Sequence, residues 1–298
     1  MVFDLVSVGS SYALAAAAVW GVFLFYFKRN LGDYPPTVAL VLTSVFGVAW
    51  YLPVTGYALW GGASVVPPSF GVAQFAFAAL TVVLFALALL TFYAAIGRGT
   101  VSLVTPISKI HPVFVVPMEV LVLGAHVAPL QVVGIVLATV AVYLANYSGD
   151  GLLLPLRRLV SSRPAQLGLL SAVLMALVNV SQRALLYDFA MTPQVWVVVK
   201  NGGVALLLAP LAARRWSVDV RGNLPTLAVA GLFVATGEHL VALAYAGIPA
   251  SVAAPLISLQ AIVAVVLAGV FLDEDDFLIR LVAALVAILG IAFVTLPQ

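Results

Sequence analysis

Tyr93-Ala-Ala-Ile-Gly-Arg-Gly-Thr-Val-Ser-Leu-Val-Thr-Pro106, in the first half of the chain, has a counterpart in Leu243-Ala-Tyr-Ala-Gly-Ile-Pro-Ala-Ser-Val-Ala-Ala-Pro255 in the second. A shift of 149 carries Ala95, Ser102, Val104, Pro106 and Leu123 onto Ala244, Ser251, Ala253, Pro255 and Leu272. The same register holds without a gap for Ala79/Ala228, Ala86/Ala235, Val133/Val282 and Ala138/Ala287. In an apolar sequence the alanine matches are cheap, so the Ser-x3-Pro pair carries most of the weight. A duplicated, strongly hydrophobic chain is the signature of membrane transporters in which two repeats enclose a site near the bilayer midplane.

Composition points the same way. The chain is 64% hydrophobic and 8% charged, with mean hydropathy +1.20, whereas soluble domains average about 25% charged residues. There is too little polar surface here for a soluble protein. The net charge of +2 is not gathered into a basic, aromatic-interleaved stripe, so nucleic acid is not an expected partner. Cysteine is absent, which excludes disulfides, thiol catalysis and thiolate metal sites. Met1-Val-Phe-Asp-Leu5 lacks a basic n-region, and the first apolar stretch reads as a retained span.

A span takes about 20 apolar residues. Glycine, proline and charge divide the chain into ten candidates: 11–27, 36–58, 70–97, 101–124, 127–146, 166–187, 193–213, 223–246, 250–272 and 277–296. The expected fold is all-α and integral to the membrane, with two five-helix repeats, residues 1–147 and 165–298, joined by a basic linker at 148–164. Because five is odd, the second repeat enters the membrane inverted relative to the first. Lys28, Arg29, Arg98, Arg157, Arg158, Arg163, Arg214, Arg215, Arg221 and Arg280 then all fall in loops on one side. The remaining three of the thirteen basic residues, Lys109, Arg183 and Lys200, lie inside spans. By the positive-inside rule the basic side is cytoplasmic, and both termini face out of a cell membrane.

The paired stretches, each leading to Leu123-Gly124 or to Phe271-Leu-Asp-Glu274, resemble the EamA-type domain of the drug/metabolite transporter superfamily. The resemblance covers the chain as two domains end to end, with Gly134 and Gly290 fitting the fifth helix of each. Two departures stand out. Ala125-His126 occupies the place of the expected acidic residue. The resemblance also implies cytoplasmic termini, opposite to the loop charges. It further implies a central cavity bounded by the first, third, fourth, sixth, eighth and ninth helices, which puts Trp20 and Tyr93 at its wall.

Ionisable groups at the bilayer centre cost about 2.5–3.5 kcal/mol each on insertion scales, so each one needs a reason. Lys109 and His111 lie among Pro106, Pro112 and Pro117, whose missing backbone donors predict a kinked helix with free carbonyls. Their repeat mates, Ser258 and Gln260, are also polar. The four residues either face the pathway from two symmetric helices or satisfy one another within a kink. Asn179, at a place similar to Trp20 in the other repeat, is a further candidate for the substrate site.

Glu238-His239 has the apolar mates Leu89-Leu90, so its polarity is not inherited from the duplication. A buried carboxyl beside an imidazole suits proton coupling near neutral pH; the alternative is an interhelical ion pair between Glu238 and a Lys or Arg. Arg183 and Lys200 are expected to snorkel, with Asp188 or Glu119 as partners. Asp273-Glu-Asp-Asp276 lacks the alternating spacing of a calcium loop and reads as a solvated cap.

No Walker A, H-E-x-x-H or G-x-S-x-G pattern occurs. The expected function is therefore secondary transport of a small polar metabolite, amino-acid-like and zwitterionic or anionic, with proton coupling through Glu238 and His239. The alternative is an intramembrane enzyme acting on a lipid-linked substrate. The expected partners are a small-molecule substrate and the lipid bilayer, in a monomer or weak homodimer, with no cofactor and no metal.

Overall fold

The computed structural model describes residues 2–68, 70–96, 98, 108, 111–124, 128–145, 162–216 and 219–260, with isolated positions between 262 and 293. Every regular element among them is helical: α1 Val2–Leu31, α2 Pro36–Trp60, α3 Val72–Ile96, α4 His111–Leu123, α5 Pro129–Ala145, α6 Arg163–Arg183, α7 Pro193–Ala213, α8 Leu224–Gly247 and α9 Ala250–Ser258. Among the described residues, six stretches are long and apolar enough to cross a membrane: Val8–Leu31, Pro36–Trp60, Val72–Ala95, Arg163–Asp188, Pro193–Ala213 and Leu224–Gly247. The expected span at 277–296, apart from single positions, and residues 148–161 of the expected linker lie outside the described residues; the rest of the linker, 162–164, is the capped start of α6.

Proline sets many of the helix starts. It occupies the first turn of α2, α6, α7 and α8, where its missing N–H is a donor the helix could not have used. Ser162 adds a side-chain cap to α6, accepting from the Ala165 N–H at 3.3 Å. At its far end α6 widens into a π turn, Ala184–Asp188.

The helices expose apolar side chains and bury polar ones. Trp60, Leu121 and Leu206 are 92%, 84% and 77% exposed, while Lys200, Glu238 and Glu119 are 2%, 5% and 1% exposed. A soluble domain sorts its residues the other way. Facing lipid, apolar side chains cost nothing, and polar groups must find partners inside the bundle.

Helix α3 packs along α6, α1 along α8, and α2 along both α7 and α8; α4 contacts α6 and α9, and α9 contacts α1. The α2–α8 crossing is close because it is made by Gly47 and Gly231: a Cβ on Gly231 would meet the backbone of Phe46 and, at 2.9 Å, the nitrogen of Gly47. Six residues further along α8, Gly237 makes room for the Trp20 indole, which lies 2.8 Å from where a Cβ would sit. Small residues allow such approaches between membrane helices, where packing rather than water exclusion drives association.

Candidate functional site

Between the helices lies a cavity of about 260 Å³. Its wall is largely aromatic on the α1 and α3 side, with Trp20, Phe23, Phe27, Phe85, Phe92 and Tyr93. Trp20 stands edge-on to Phe23, ring centroids 5.3 Å apart, and rests on the bare backbone of Gly237. The polar wall comes from α6, α7 and α8: Ser171, Asn179, Gln182, Lys200, Asn201 and Glu238.

The charged centre of this wall is a buried ion pair. The Lys200 ammonium donates to Glu238 Oε2 and, at 2.8 Å, to Gln182 Oε1. The same Gln182 oxygen accepts from Trp196 Nε1 at 3.2 Å, and Trp196 is fully buried. Lys200 Nζ also lies 5.0 Å from the centroid of the Phe85 ring, within cation–π range. Three helices thus converge on one ammonium. Lys200 does not snorkel, because about two turns inside α7 it finds a carboxylate and an amide oxygen that satisfy it in place of water. Asn201 turns back on its own helix, donating to the Val197 carbonyl at 2.9 Å.

The sequence candidates separate into groups. Trp20, Tyr93, His111, Asn179, Gln260 and Glu238 all line the cavity. Ser258 is just behind it, its hydroxyl 3.3 Å from His111 Nε2 and donating to the Ala254 carbonyl at 2.8 Å. The repeat mates at 109 and 258 are not comparable directly, since Lys109 lies outside the described residues. His239 is elsewhere: its Nδ1 is 2.5 Å from the Tyr51 hydroxyl on α2. Successive residues of an α-helix point about 100° apart, so Glu238 meets α7 while His239 meets α2.

Two further charges, Glu119 buried and Arg183 half-buried, bracket the α8–α9 turn. Glu119 accepts from the N–H groups of Ala250 and Ser251 at 2.6 and 2.7 Å, which caps the start of α9 with a full negative charge. Arg183 donates to the carbonyls of Tyr245 and Ala246 at 3.0 and 3.3 Å at the end of α8, and lies 3.7 Å from the Tyr187 ring centroid. Neither group needs the interface, because each helix end offers unpaired backbone groups of the opposite polarity. Glu238 is therefore not the only carboxylate held deep in the protein.

Sequence reasoning gave little weight to Lys200 and Gln182, and did not include α2 and α7 in the cavity wall, although Thr43, Ser44, Lys200 and Asn201 line it. The missed signal was depth. Gln182 and Lys200 flank the same short turn on consecutive antiparallel helices, so their similar distances from it place them level with each other.

Helices that present apolar surface outward and hold buried polar and charged groups along one wall of a cavity define a multi-pass membrane protein. A family model for the EamA-like transporter family matches residues 7–147 and 163–296. The chain belongs to that family, and so to the drug/metabolite transporter superfamily. No curated protein matches it in sequence. Among solved structures, 29 chains match. One crystal structure is similar at a TM-score of 0.78 with 13% identity, covering 96% of this chain and 97% of the other; at that identity the likeness is one of fold.

Proposed function

We propose that the chain is a secondary transporter that carries a small polar metabolite, amino-acid-like and zwitterionic or anionic, across the cell membrane by alternating access, with its transport coupled to protons. The observation that carries this is the buried Lys200–Glu238 pair on the wall of a cavity between the helices, where an intramembrane charge marks a solute or proton path. Substrate would meet Trp20, Tyr93, His111, Asn179 and Gln260, with Lys109 and Ser258 as neighbours, and Glu238 would load and release the proton. His239 is assigned to holding α2 against α8.

Ten helices in two inverted repeats make the mechanism economical. Support comes from the packing: exchanging each helix for the one five places on turns the α3–α6 contact into α8–α1, and α4–α6 into α9–α1, both of which occur. In the first half, the lining residues lie toward the helix ends that carry Lys28, Arg29 and Arg98. In α6 and α8 they run from mid-helix toward the opposite ends, which puts the cavity near mid-depth, and the loop charges alone favour termini outside.

Reconstitution into liposomes with radiolabelled amino acids, nucleosides and organic acids tests the proposal. A solute that accumulates under an imposed pH gradient is expected. If no solute moves while a lipid is chemically altered, an enzyme takes the transporter's place.

A further inference from the structure

We infer that Lys200 is the anchor for a carboxylate on the transported solute, and that the solute binds by displacing Glu238 from it while Glu238 takes up a proton. This rests on the transporter reading and deepens it.

Among the described residues that line the cavity, Lys200 and Glu238 are the only two that carry full charges, and they cancel. A carboxylate entering the cavity has one ammonium to pair with, and that ammonium is already taken. Leaving two carboxylates beside a single buried cation is the arrangement that forces one of them to hold a proton. The exchange balances: before binding the site holds one ammonium and one carboxylate. Afterwards it holds the ammonium paired with the solute's carboxylate and a neutral Glu238 carboxyl, the proton having come from the solution that reaches the cavity. The net charge of the site is zero in both states, so the anion and the proton cross together.

The opposite exchange, a solute ammonium displacing Lys200 from Glu238, is disfavoured by the contacts. Lys200 keeps the Gln182 oxygen and the Phe85 ring when Glu238 leaves, so the cation remains solvated by protein. An ordinary carboxyl, at about 4.3, also titrates closer to neutral pH than an ordinary lysine at about 10.4. The other titratable groups around Glu238 are Tyr51 on α2 and Tyr245 on α8, both close enough to feel its charge, and His239, which faces Tyr51. Tyr93 on α3 and His111 next to α9 also border the cavity. Helices α1 and α6 present Trp20 and Gln182 there, and Gln260 follows just after α9; none of the three titrates. The aromatic wall suits a solute whose carboxylate is joined to an apolar body.

The probes are phenylacetate and its cationic counterpart phenethylamine, added to purified full-length protein in detergent at about pH 5.5 and about pH 7.5. Thermal unfolding reads binding, and an indicator dye in weak buffer reads proton uptake. Phenylacetate is expected to raise the Tm with uptake of a proton, at roughly tenfold lower concentration at the acid pH. Glu238→Gln should bind it equally at both pH values without proton uptake, and a response in this variant alone also supports the exchange, because it removes the competing carboxylate. The double variant Lys200→Gln/Glu238→Gln removes both charges together and should fold but not respond. The inference is overturned if Glu238→Gln unfolds cooperatively yet ignores phenylacetate, if its response keeps the pH dependence, or if phenethylamine replaces phenylacetate as the stabilising probe. Liposome flux separates the two levels: binding with proton uptake but no flux of any solute sinks the transporter, whereas flux without these responses sinks only the anchor.

Discussion

Glu119 and Arg183 reach the same turn from different helices and divide its two helix ends between them. The carboxylate takes the N–H groups at the start of α9, and the guanidinium takes the carbonyls at the end of α8. Each charge lies at the pole of a helix dipole that favours it. Because Glu119 belongs to α4 and its partners to α9, the contact also ties the first half of the chain to the second on the side away from the basic loops.

Opening that side requires the Glu119 contact to break. Glu119→Gln keeps the size of the side chain and loses the charge, at an expected cost of about 1–2 kcal/mol in stability. The chain has no cysteine, so Asn179→Cys can report access to the cavity. An impermeant methanethiosulfonate reagent added from the side of the α2–α3 loop should modify it several-fold faster in the Glu119→Gln background. Equal rates would remove Glu119 from any gating role.

Removing one member of the buried ion pair should be worse than removing both. Lys200→Met leaves an uncompensated carboxylate among helices, with an expected loss of about 3–5 kcal/mol, while Lys200→Met/Glu238→Gln should recover most of it. A double-mutant cycle on thermal unfolding measures the coupling. Additive losses would mean that the two groups do not stabilise each other.

Glu238 and His239 should separate by function. Glu238→Gln is expected to abolish accumulation driven by a pH gradient and to leave counterflow exchange largely intact, since exchange needs no net proton movement. Tyr51→Phe removes the partner of His239, which should cost about 1 kcal/mol of stability and leave the pH dependence of transport as it was. A pH profile that moves in Tyr51→Phe would bring His239 back into the coupling path.

Orientation is open to a direct measurement. With the basic loops cytoplasmic, Ser64→Cys between α2 and α3 should react with an impermeant maleimide in intact cells. Ser161→Cys, in the basic linker, should react only after permeabilisation. The reverse pattern would place the termini inside.

The helices were legible in the sequence because their limits are written in proline and glycine: the expected spans at 36–58, 193–213 and 223–246 coincide closely with α2, α7 and α8. The cavity wall was partly legible, since His111, Asn179, Gln260 and Glu238 were recognisable as polar residues out of place in a bilayer, while Trp20 and Tyr93 came from the family resemblance. What a linear sequence hides is which way each residue points and what it meets. Glu238 and His239 are neighbours in the chain and belong to different helix contacts. Lys200, long enough to snorkel, stays inside because Gln182 and Glu238 arrive at its depth from two other helices. The destinations of Glu119 and Arg183 were invisible for another reason: their partners are backbone groups, which no residue type announces.

The crossing of α2 and α8 has a mechanical consequence. Gly47 and Gly231 bring two backbones together, and each offers only bare backbone to the side chain opposite: Val234 of α8 lies against Gly47, and Phe46 of α2 against Gly231. Tilting one against the other about this point slides Val234 and Phe46 across bare backbone, whereas the same motion at a crossing built from leucines would have to unpack interlocked side chains. The pair therefore forms a smooth bearing, and it joins a helix from each half of the molecule about two turns away from Gly237 and Glu238.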